Sequence, residues 1–270
     1  MKKIALIGYG AIARIVTDKL REHDPDGKVR VMGILVREAR VSEIQAMVGD
    51  TVRVVSTIDD LIRLTPNMIV ECAGQGAVAD YGEAVLSTGI DLMVISTGAL
   101  ADQRIRERLT RAGALTGAHM VLPSGAIAGI DGLNSLRIGG LETVRYTSTK
   151  PPLAWKGTPA DGNFDLEAIT ERTVLFTGPA SEAARDYPKN ANLAATVALA
   201  GLGMDDTEIQ LVADPSVAPN NVGRIDAAGS FGTLTVECRG LPAPDNPKTS
   251  ATTALSLTYA ILQGTHTIIL

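Results

Sequence analysis

The sequence predicts an α/β protein with a Rossmann-type, doubly wound parallel sheet, followed by a second, α+β domain. In the first half, short apolar runs alternate with helical patterns, which is typical of βαβ units with right-handed crossovers. In the second half, strand-like runs and helices lack strict alternation, which favours an α+β arrangement. We expect one domain to comprise residues 1–122 and 246–270, and the other to comprise residues 123–245.

Composition argues against nucleic-acid binding, metal clusters and membrane insertion. The 270 residues carry a net charge of −5 with no long run of either sign, so no nucleic-acid partner is expected. The two cysteines, Cys72 and Cys238, lack metal-site spacing and predict neither a disulfide framework nor a metal cluster. No apolar run approaches the ~20 residues that span a bilayer, and no signal peptide is recognisable. We therefore expect a cytoplasmic protein with no membrane partner.

The first predicted strand leads directly into a dinucleotide-binding fingerprint, Gly-Tyr-Gly-Ala-Ile-Ala, which then opens a helical pattern. Gly8 allows the tight turn, Gly10 lets the backbone approach a pyrophosphate, and Ala13 lets the helix pack closely on the sheet. The N–H groups of Ala11 and Ile12, with that of Ala13, lie at the helix start, where anions are favoured. A purely structural glycine-rich turn is the alternative.

The remaining elements of the first half follow in the order of a parallel sheet. Strands are predicted at residues 29–36, 53–56, 68–73 and 91–96, and helices at 42–48, 58–64 and 77–88. In such sheets ligands bind beyond the carboxyl ends of the strands, where the strand order reverses. We therefore expect Cys72, Ala73 and Gly74 to face the cofactor.

The end of the second predicted strand bears on cofactor choice. Sites specific for NAD usually carry Asp or Glu there to hold the ribose 2′-hydroxyl, whereas this chain places Arg37 at the strand end. Because an arginine can accept a 2′-phosphate, we expect NADP use, or use of both cofactors, no less than strict NAD use. A solvated arginine is the alternative.

The second half opens with a glycine-rich entry, residues 125–133, into a short helix. Strands are predicted at 144–149, 173–177, 208–213 and 233–238, and an alanine-rich buried helix at 192–202. We expect the proline-rich segment 241–247 to form an exposed loop, and a helix that starts near Thr249 to return to the first domain. His23, His119 and His266 do not combine with other residues into an acid–base constellation.

Six motifs together carry a family resemblance. They are Val70-Glu71-Cys72-Ala73-Gly74, Ser96-Thr97-Gly98-Ala99-Leu100, Ser124-Gly125-Ala126-Ile127, Thr149-Lys150-Pro151, Tyr187 through Ala195, and Asn246 through Ala251. In this order they resemble the motif set of the L-aspartate dehydrogenase family. The resemblance implies an amine dehydrogenase, usually a homodimer, that moves a hydride between C2 of L-aspartate and NAD or NADP. The iminoaspartate formed would feed NAD biosynthesis or hydrolyse to oxaloacetate and ammonia.

The resemblance also implies roles for individual residues. The family's nicotinamide contacts fall on Ala126 and Asn192, for which packing and helix N-capping are the alternatives. The candidates for contact with the acid substrate lie in matching motifs and are Lys150, Lys189, Lys248 and Asn190. A solvated surface position is the alternative for each lysine.

The chain departs from the family at its catalytic histidine, which follows an Asn-Val pair. Here Asn221 and Val222 are followed by Gly223, which cannot carry a proton. Imidazole titrates near working pH, and general acid–base assistance is worth about 10²–10⁴-fold in rate. The next residue, Arg224, can bind a carboxylate but is a poor proton carrier.

Three functions therefore stay open. The first is an L-aspartate dehydrogenase with a modified proton path, the second is an NAD(P)-dependent oxidoreductase for a different amino or carbonyl acid, and the third is a nucleotide-binding homologue that has lost catalysis. If the imidazole is the only deficit, Gly223→His is predicted to raise aspartate turnover. An unchanged or lower rate would indicate a proton path rebuilt elsewhere.

Overall fold

A computed structural model of the chain describes residues 1–243 and 246–265, except the side chains at 189, 242–243, 246–249 and 251. The chain divides into two compact units. Unit 1 comprises Met1–Ala99, Gln103–Pro123 and Ala254–Leu270, and unit 2 comprises Leu100–Asp102 and Ser124–Thr253. The expected domain boundaries, 1–122 with 246–270 and 123–245, stay a prediction.

Unit 1 is built on a six-stranded parallel sheet. Its strands are β1 Lys2–Ile7, β2 Val29–Leu35, β3 Arg53–Val55, β4 Met68–Glu71, β5 Asp91–Val94 and β6 Met120–Val121. Its first helices are α1 Ala11–His23, α2 Val41–Val48, α3 Ile58–Ile62, α4 Gln75–Leu86 and α5 Gln103–Thr116. The strand order β3-β2-β1-β4-β5-β6 confirms the doubly wound sheet and reverses between β1 and β4. Ligands bind at such a reversal.

Burial explains why these segments adopt their elements. In β1, the run from Ile4 to Ile7 is buried on both faces, as a central strand of a parallel sheet requires. On α1 the buried residues are Ala13, Val16, Thr17 and Leu20, which recur at helical spacing and form one apolar stripe. The helix thus packs on the sheet through the small residue at its first turn.

Unit 2 is built on a five-stranded mixed sheet. Its helices and strands are α6 Ile130–Gly139, β7 Leu141–Lys150, α7 Pro159–Asn163, β8 Thr173–Pro179, α8 Ala180–Asp186, α9 Ala191–Ala200, β9 Glu208–Ala213, β10 Asn221–Gly229 and β11 Gly232–Gly240. The strand order is β11-β10-β7-β9-β8, in which only β7 and β9 run parallel to each other. This mixed sheet confirms the expected α+β arrangement.

One part of the second half differs from the sequence prediction. Segment 241–247 was expected to be a loop, but it contributes to a two-stranded antiparallel ribbon of β12 Pro242–Ala243 and β13 Asn246–Ser250. Proline is tolerated in so short a ribbon because no inner strand needs its missing N–H. The last helix, α10 Ala251–Gln263, buries Leu257 and Ile261 in the core of unit 1.

The described helices include none that is both long and apolar enough to cross a membrane.

Candidate functional site

A groove in unit 1 lies at the reversal of strand order. It has a volume of about 530 Å³, within the range of ligand pockets. The expected cofactor residues that line it are Gly8, Gly10, Arg37, Cys72, Ala73 and Gly74. Ala11, Ile12 and Ala13 form the first turn of α1, next to the lining residue Gly10.

The two fingerprint glycines meet different demands. Gly8 has φ +88°, and a Cβ there would lie 2.8 Å from the Cβ of Ala73, so both the turn and the close approach require glycine. A Cβ at Gly10 would meet nothing within 4 Å. Gly10 also precedes α1 without any side-chain cap, so the helix start is open to an anion. The residues present therefore fit a dinucleotide pyrophosphate.

A buried carboxylate binds the backbone of the turn after β4, which lines this groove. Glu71, at the end of β4, is fully buried and accepts hydrogen bonds from Ala73 N at 2.7 Å and Gly74 N at 2.6 Å. It also accepts from Ser96 N and Ser96 Oγ, both at 3.0 Å. Burial raises the pKa of Glu71, and these hydrogen bonds oppose that shift. Burial and the neighbouring Glu71 raise the pKa of Cys72, so this thiol stays neutral.

Two arginines line the groove where β2 ends. Arg37 follows β2 and is exposed, and Arg40 lies one turn later. Both oxygens of Glu43 accept hydrogen bonds from Arg40, each at 3.0 Å, which orients its guanidinium. Ser56 adds a hydroxyl to the same lining. Among the described lining residues the acid is Asp80. It belongs to α4, so it does not take the place at the end of β2 where NAD-specific sites carry Asp or Glu.

In unit 2, Gly223 is the third residue of β10, opposite Ser148 on β7 and Cys238 on β11. A Cβ there would lie 3.2 Å from the hydroxyl of Tyr146 and 3.2 Å from Cδ1 of Ile127. A side chain at position 223 would therefore crowd Tyr146 and Ile127, which would have to shift by a few tenths of an ångström. The Tyr146 side chain is buried, and burial raises the pKa of Tyr146 well above its ordinary value.

Substitution of Gly223 tests this packing. Gly223→Ala is expected to change the free energy of unfolding by less than about 1 kcal/mol, because Ile127 can shift and reduced chain entropy offsets the contact. Gly223→His is expected to lower it by about 1–3 kcal/mol, because the ring meets the packed Tyr146. Thermal unfolding of the two variants measures the difference. Equal midpoints for Gly223→His and wild type would contradict the crowding.

Lys150, the last residue of β7, has an unusual environment for a lysine. Its Nζ donates a hydrogen bond to Oδ1 of Asn190 and lies 5.1 Å from the ring centroid of Trp155, which is fully buried. Burial lowers the pKa of Lys150 to about 8. The structure thus brings two of the expected substrate residues into contact.

The two expected nicotinamide contacts also belong to one neighbourhood. Asn192 is the second residue of α9, and the N-cap is Asn190, so N-capping does not explain Asn192. A Cβ at Gly125 would lie 3.1 Å from Leu193, so the residue before Ala126 packs against the residue that follows Asn192.

The remaining expected site residues of unit 2 are Arg224, Lys189 and Lys248. Arg224 is bound to Asp226 at 2.7 and 2.8 Å and points to the sheet face opposite Gly223, because neighbouring residues of a strand alternate. Arg224 therefore lies on the other face of the sheet from Lys150, and its expected role stays a prediction. The side chains of Lys189 and Lys248 lie outside the described part of the structure.

Sequence reasoning missed several residues that shape the site, namely Glu71, Arg40, Tyr146 and Trp155. The carboxylate of Glu71 in an otherwise apolar strand was a usable signal, because a buried acid needs several donors. Nothing in the local sequence around Tyr146 indicates that its hydroxyl lies against Gly223. Among the described residues, no group of three or more metal-ligating side chains is present.

Comparison with known proteins gives a consistent result. The model for the C-terminal domain of aspartate dehydrogenase matches residues 131–264, and that for the NAD-binding domain of homoserine dehydrogenase matches residues 8–123. L-aspartate dehydrogenase of Serratia proteamaculans is 46% identical over 260 residues, which is 96% of each chain. The enzyme of the same name from Cupriavidus taiwanensis is 44% identical over 271 residues, 99% of each chain.

Solved structures agree with this comparison. Aspartate dehydrogenase from Thermotoga maritima superimposes with a TM-score of 0.74 at 25% identity, covering 100% of this chain and 99% of that one. A hyperthermophilic archaeal homoserine dehydrogenase in complex with NADPH gives a TM-score of 0.61 at 13% identity, covering 98% of both chains. The second likeness concerns the fold alone.

Proposed function

The chain belongs to the L-aspartate dehydrogenase family, and from that premise we propose that it catalyses the reversible oxidative deamination of L-aspartate to iminoaspartate. It is an NAD(P)-dependent amino-acid dehydrogenase. The observation that carries the substrate proposal is the near full-length similarity to L-aspartate dehydrogenases. The groove with its open Gly10 and buried Glu71 supports it, because a fitting nucleotide cradle is retained.

Each part of the chain has a proposed task. A bound nicotinamide would take the hydride from C2 of the substrate, or return it in the reverse direction. The first turn of α1 and the backbone at Gly10 would hold the phosphates, while Ala126 and Asn192 would contact the nicotinamide. Lys150 and Asn190 would contact the acid substrate. Contacts from Lys189 and Lys248 stay a prediction from the sequence.

A steady-state assay matrix tests the reaction. Purified enzyme with oxaloacetate and ammonia is expected to oxidise NADPH or NADH, and L-aspartate is expected to reduce the oxidised cofactor. No oxidation at high ammonia would contradict the proposal. Faster turnover of a different amino or carbonyl acid than of aspartate would favour an oxidoreductase for that acid. Cofactor binding by calorimetry without any turnover would favour a nucleotide-binding homologue that has lost catalysis.

We further propose a physiological role and an assembly. The role, supply of iminoaspartate for NAD biosynthesis, follows from the family resemblance and is tested by growth complementation of a host that lacks its own source. The assembly is a homodimer, supported by the family resemblance. Light scattering should give twice the 28.2 kDa of one chain. The expected cytoplasmic location stays a prediction.

A further inference from the structure

The proposed reaction needs a group that takes up and returns a proton, and Gly223 cannot do so. We propose that Lys150 carries the proton in this enzyme, as an amine on the same sheet face as Gly223, bound to Asn190 and seated on Trp155. This inference rests on the proposed function. It assigns to Lys150 a catalytic task beyond holding a carboxylate.

The strand register places Lys150 next to Gly223. Gly223 is paired with Ser148, and Lys150 lies two residues further along β7. Side chains two residues apart on a strand share a face, and diagonal neighbours on adjacent antiparallel strands lie within reach of long side chains. Tyr146, Ser148 and Lys150 therefore form a row on the face to which a side chain at position 223 would point.

The ammonium of Lys150 is held by neutral groups. Asn190 accepts its hydrogen bond, and the ring of Trp155 lies beneath it. Trp155 in turn donates its ring N–H to Val212 O at 3.0 Å and meets Tyr187 edge-on, with 6.3 Å between ring centroids. No ion pair of Lys150 is found within the described part of the chain. Because burial is not offset by a carboxylate, Lys150 has a pKa of about 8, which suits proton exchange near working pH.

The titratable groups around Lys150 do not offer a better carrier. Tyr146 is on the same face, but burial raises its pKa far above neutrality. Tyr187 meets the Trp155 ring edge-on, and burial raises its pKa as well. Asp214, which follows β9, donates its backbone N–H to Lys150 O at 2.9 Å while its side chain accepts from Ser216 N. Cys238 lies opposite Gly223 on β11 and is included among the test variants.

The proton transfers balance as follows. In deamination, neutral Lys150 removes one proton from the α-ammonium of aspartate, which leaves an amine whose lone pair forms the C=N bond as the hydride departs from C2. The product is iminoaspartate as its iminium ion, and Lys150 is then an ammonium. Hydrolysis of the iminium ion consumes one water and yields oxaloacetate and ammonium, and Lys150 releases its proton to solvent. In amination the same steps run backwards and begin with protonated Lys150.

The kinetic test compares Lys150→Arg with a matched control, Lys156→Arg, an exposed lysine of the segment that follows β7. Lys150→Arg keeps the positive charge but cannot lose its proton, so kcat is expected to fall about 10²–10⁴-fold with only a small change in KM. Lys156→Arg and Cys238→Ser are expected to behave as wild type. Loss of substrate binding alone would instead raise KM and leave kcat close to wild type.

The pH dependence distinguishes the roles further. Deamination requires the neutral amine, so wild-type kcat should rise with pH up to about 8 and then level off. Amination requires the protonated form, so its kcat should fall above about pH 8. In Lys150→Arg, both the rise of the deamination kcat and the fall of the amination kcat near pH 8 should disappear. Gly223→His should give no gain in aspartate turnover, because the proton already has a carrier.

A measurement without substrate completes the test. In protein labelled with ¹³C at lysine Cε, one resonance is expected to titrate with a midpoint near pH 8 and to vanish in Lys150→Arg. A Lys150 midpoint near the ordinary lysine value, an unchanged kcat in Lys150→Arg, or a gain of about 10-fold in kcat from Gly223→His would each overturn the inference while aspartate dehydrogenase activity stands. Absence of aspartate turnover in the wild type would remove the proposed function and this inference together.

Discussion

Replacing Glu71 by alanine is expected to lower the free energy of unfolding of unit 1 by about 3–5 kcal/mol. The four hydrogen bonds to its carboxylate come from Ala73, Gly74 and both the backbone and side chain of Ser96. Alanine would leave these donors without their acceptor in a buried place. At about 4 °C per kcal/mol, the thermal midpoint should fall by roughly 10–20 °C.

The matched variant is Glu71→Gln, which keeps the shape and loses one acceptor oxygen. Its amide would turn an N–H toward one of the present donors, so a loss of about 1–3 kcal/mol is expected. Glu83→Gln on α4 is the control, since that side chain is half exposed and its pair with Arg108 spans 3.4 Å. We expect the wild type to be the most stable, Glu71→Gln to be less stable, and Glu71→Ala to be the least stable. Equal stability of Glu71→Ala and Glu83→Gln would contradict the role of the carboxylate.

The double variant Arg37→Ala/Arg40→Ala is expected to weaken NADPH binding by about 100-fold or more and NADH binding by only a few-fold. Both arginines line the groove at the end of β2, and a 2′-phosphate can accept charge-assisted hydrogen bonds from each. Only NADPH carries that phosphate. The pair should therefore act on the difference between the cofactors rather than on binding in general.

Calorimetry of both cofactors on the apo-enzyme measures this effect. Arg63→Ala serves as the control, because Arg63 is exposed, bonds to Asp60 and lies outside the groove lining. The single variants should separate the contribution of Arg37 from that of Arg40, whose position depends on Glu43. An equal loss for NADPH and NADH would show that the arginines do not read the 2′-phosphate. Salt should weaken NADPH binding more than NADH binding.

Local patterns in the sequence were enough to predict the nucleotide unit. The alternation of apolar runs and helical patterns predicted the parallel sheet, and the fingerprint predicted both the turn at Gly8 and the open space at Gly10. These features depend on residues close together in the chain. The ends of the predicted elements shifted by a residue or two because fraying and caps decide them.

Contacts between distant residues account for what the sequence did not predict. Ser96 lies 25 residues from Glu71, and Asn190 lies 40 residues from Lys150, so neither pair has a local signature. The strand that carries Gly223 pairs with β7, more than 70 positions earlier in the chain, and this pairing alone brings Tyr146 to it. The ribbon at 242–250 was missed because its prolines favour a loop in any local reading.

The contact between the Tyr146 hydroxyl and position 223 also bears on how the enzyme can change by mutation. A histidine introduced at position 223 alone must displace that hydroxyl and Ile127. The single variant is therefore expected to be less stable than the present protein. The substitutions at 146 and 223 are thus epistatic, and their order matters. Replacement of Tyr146 by phenylalanine first removes the hydroxyl contact and leaves Ile127 and the ring edge as the groups that must shift. More than one replacement is therefore expected to be needed before an imidazole fits at position 223 without loss of stability.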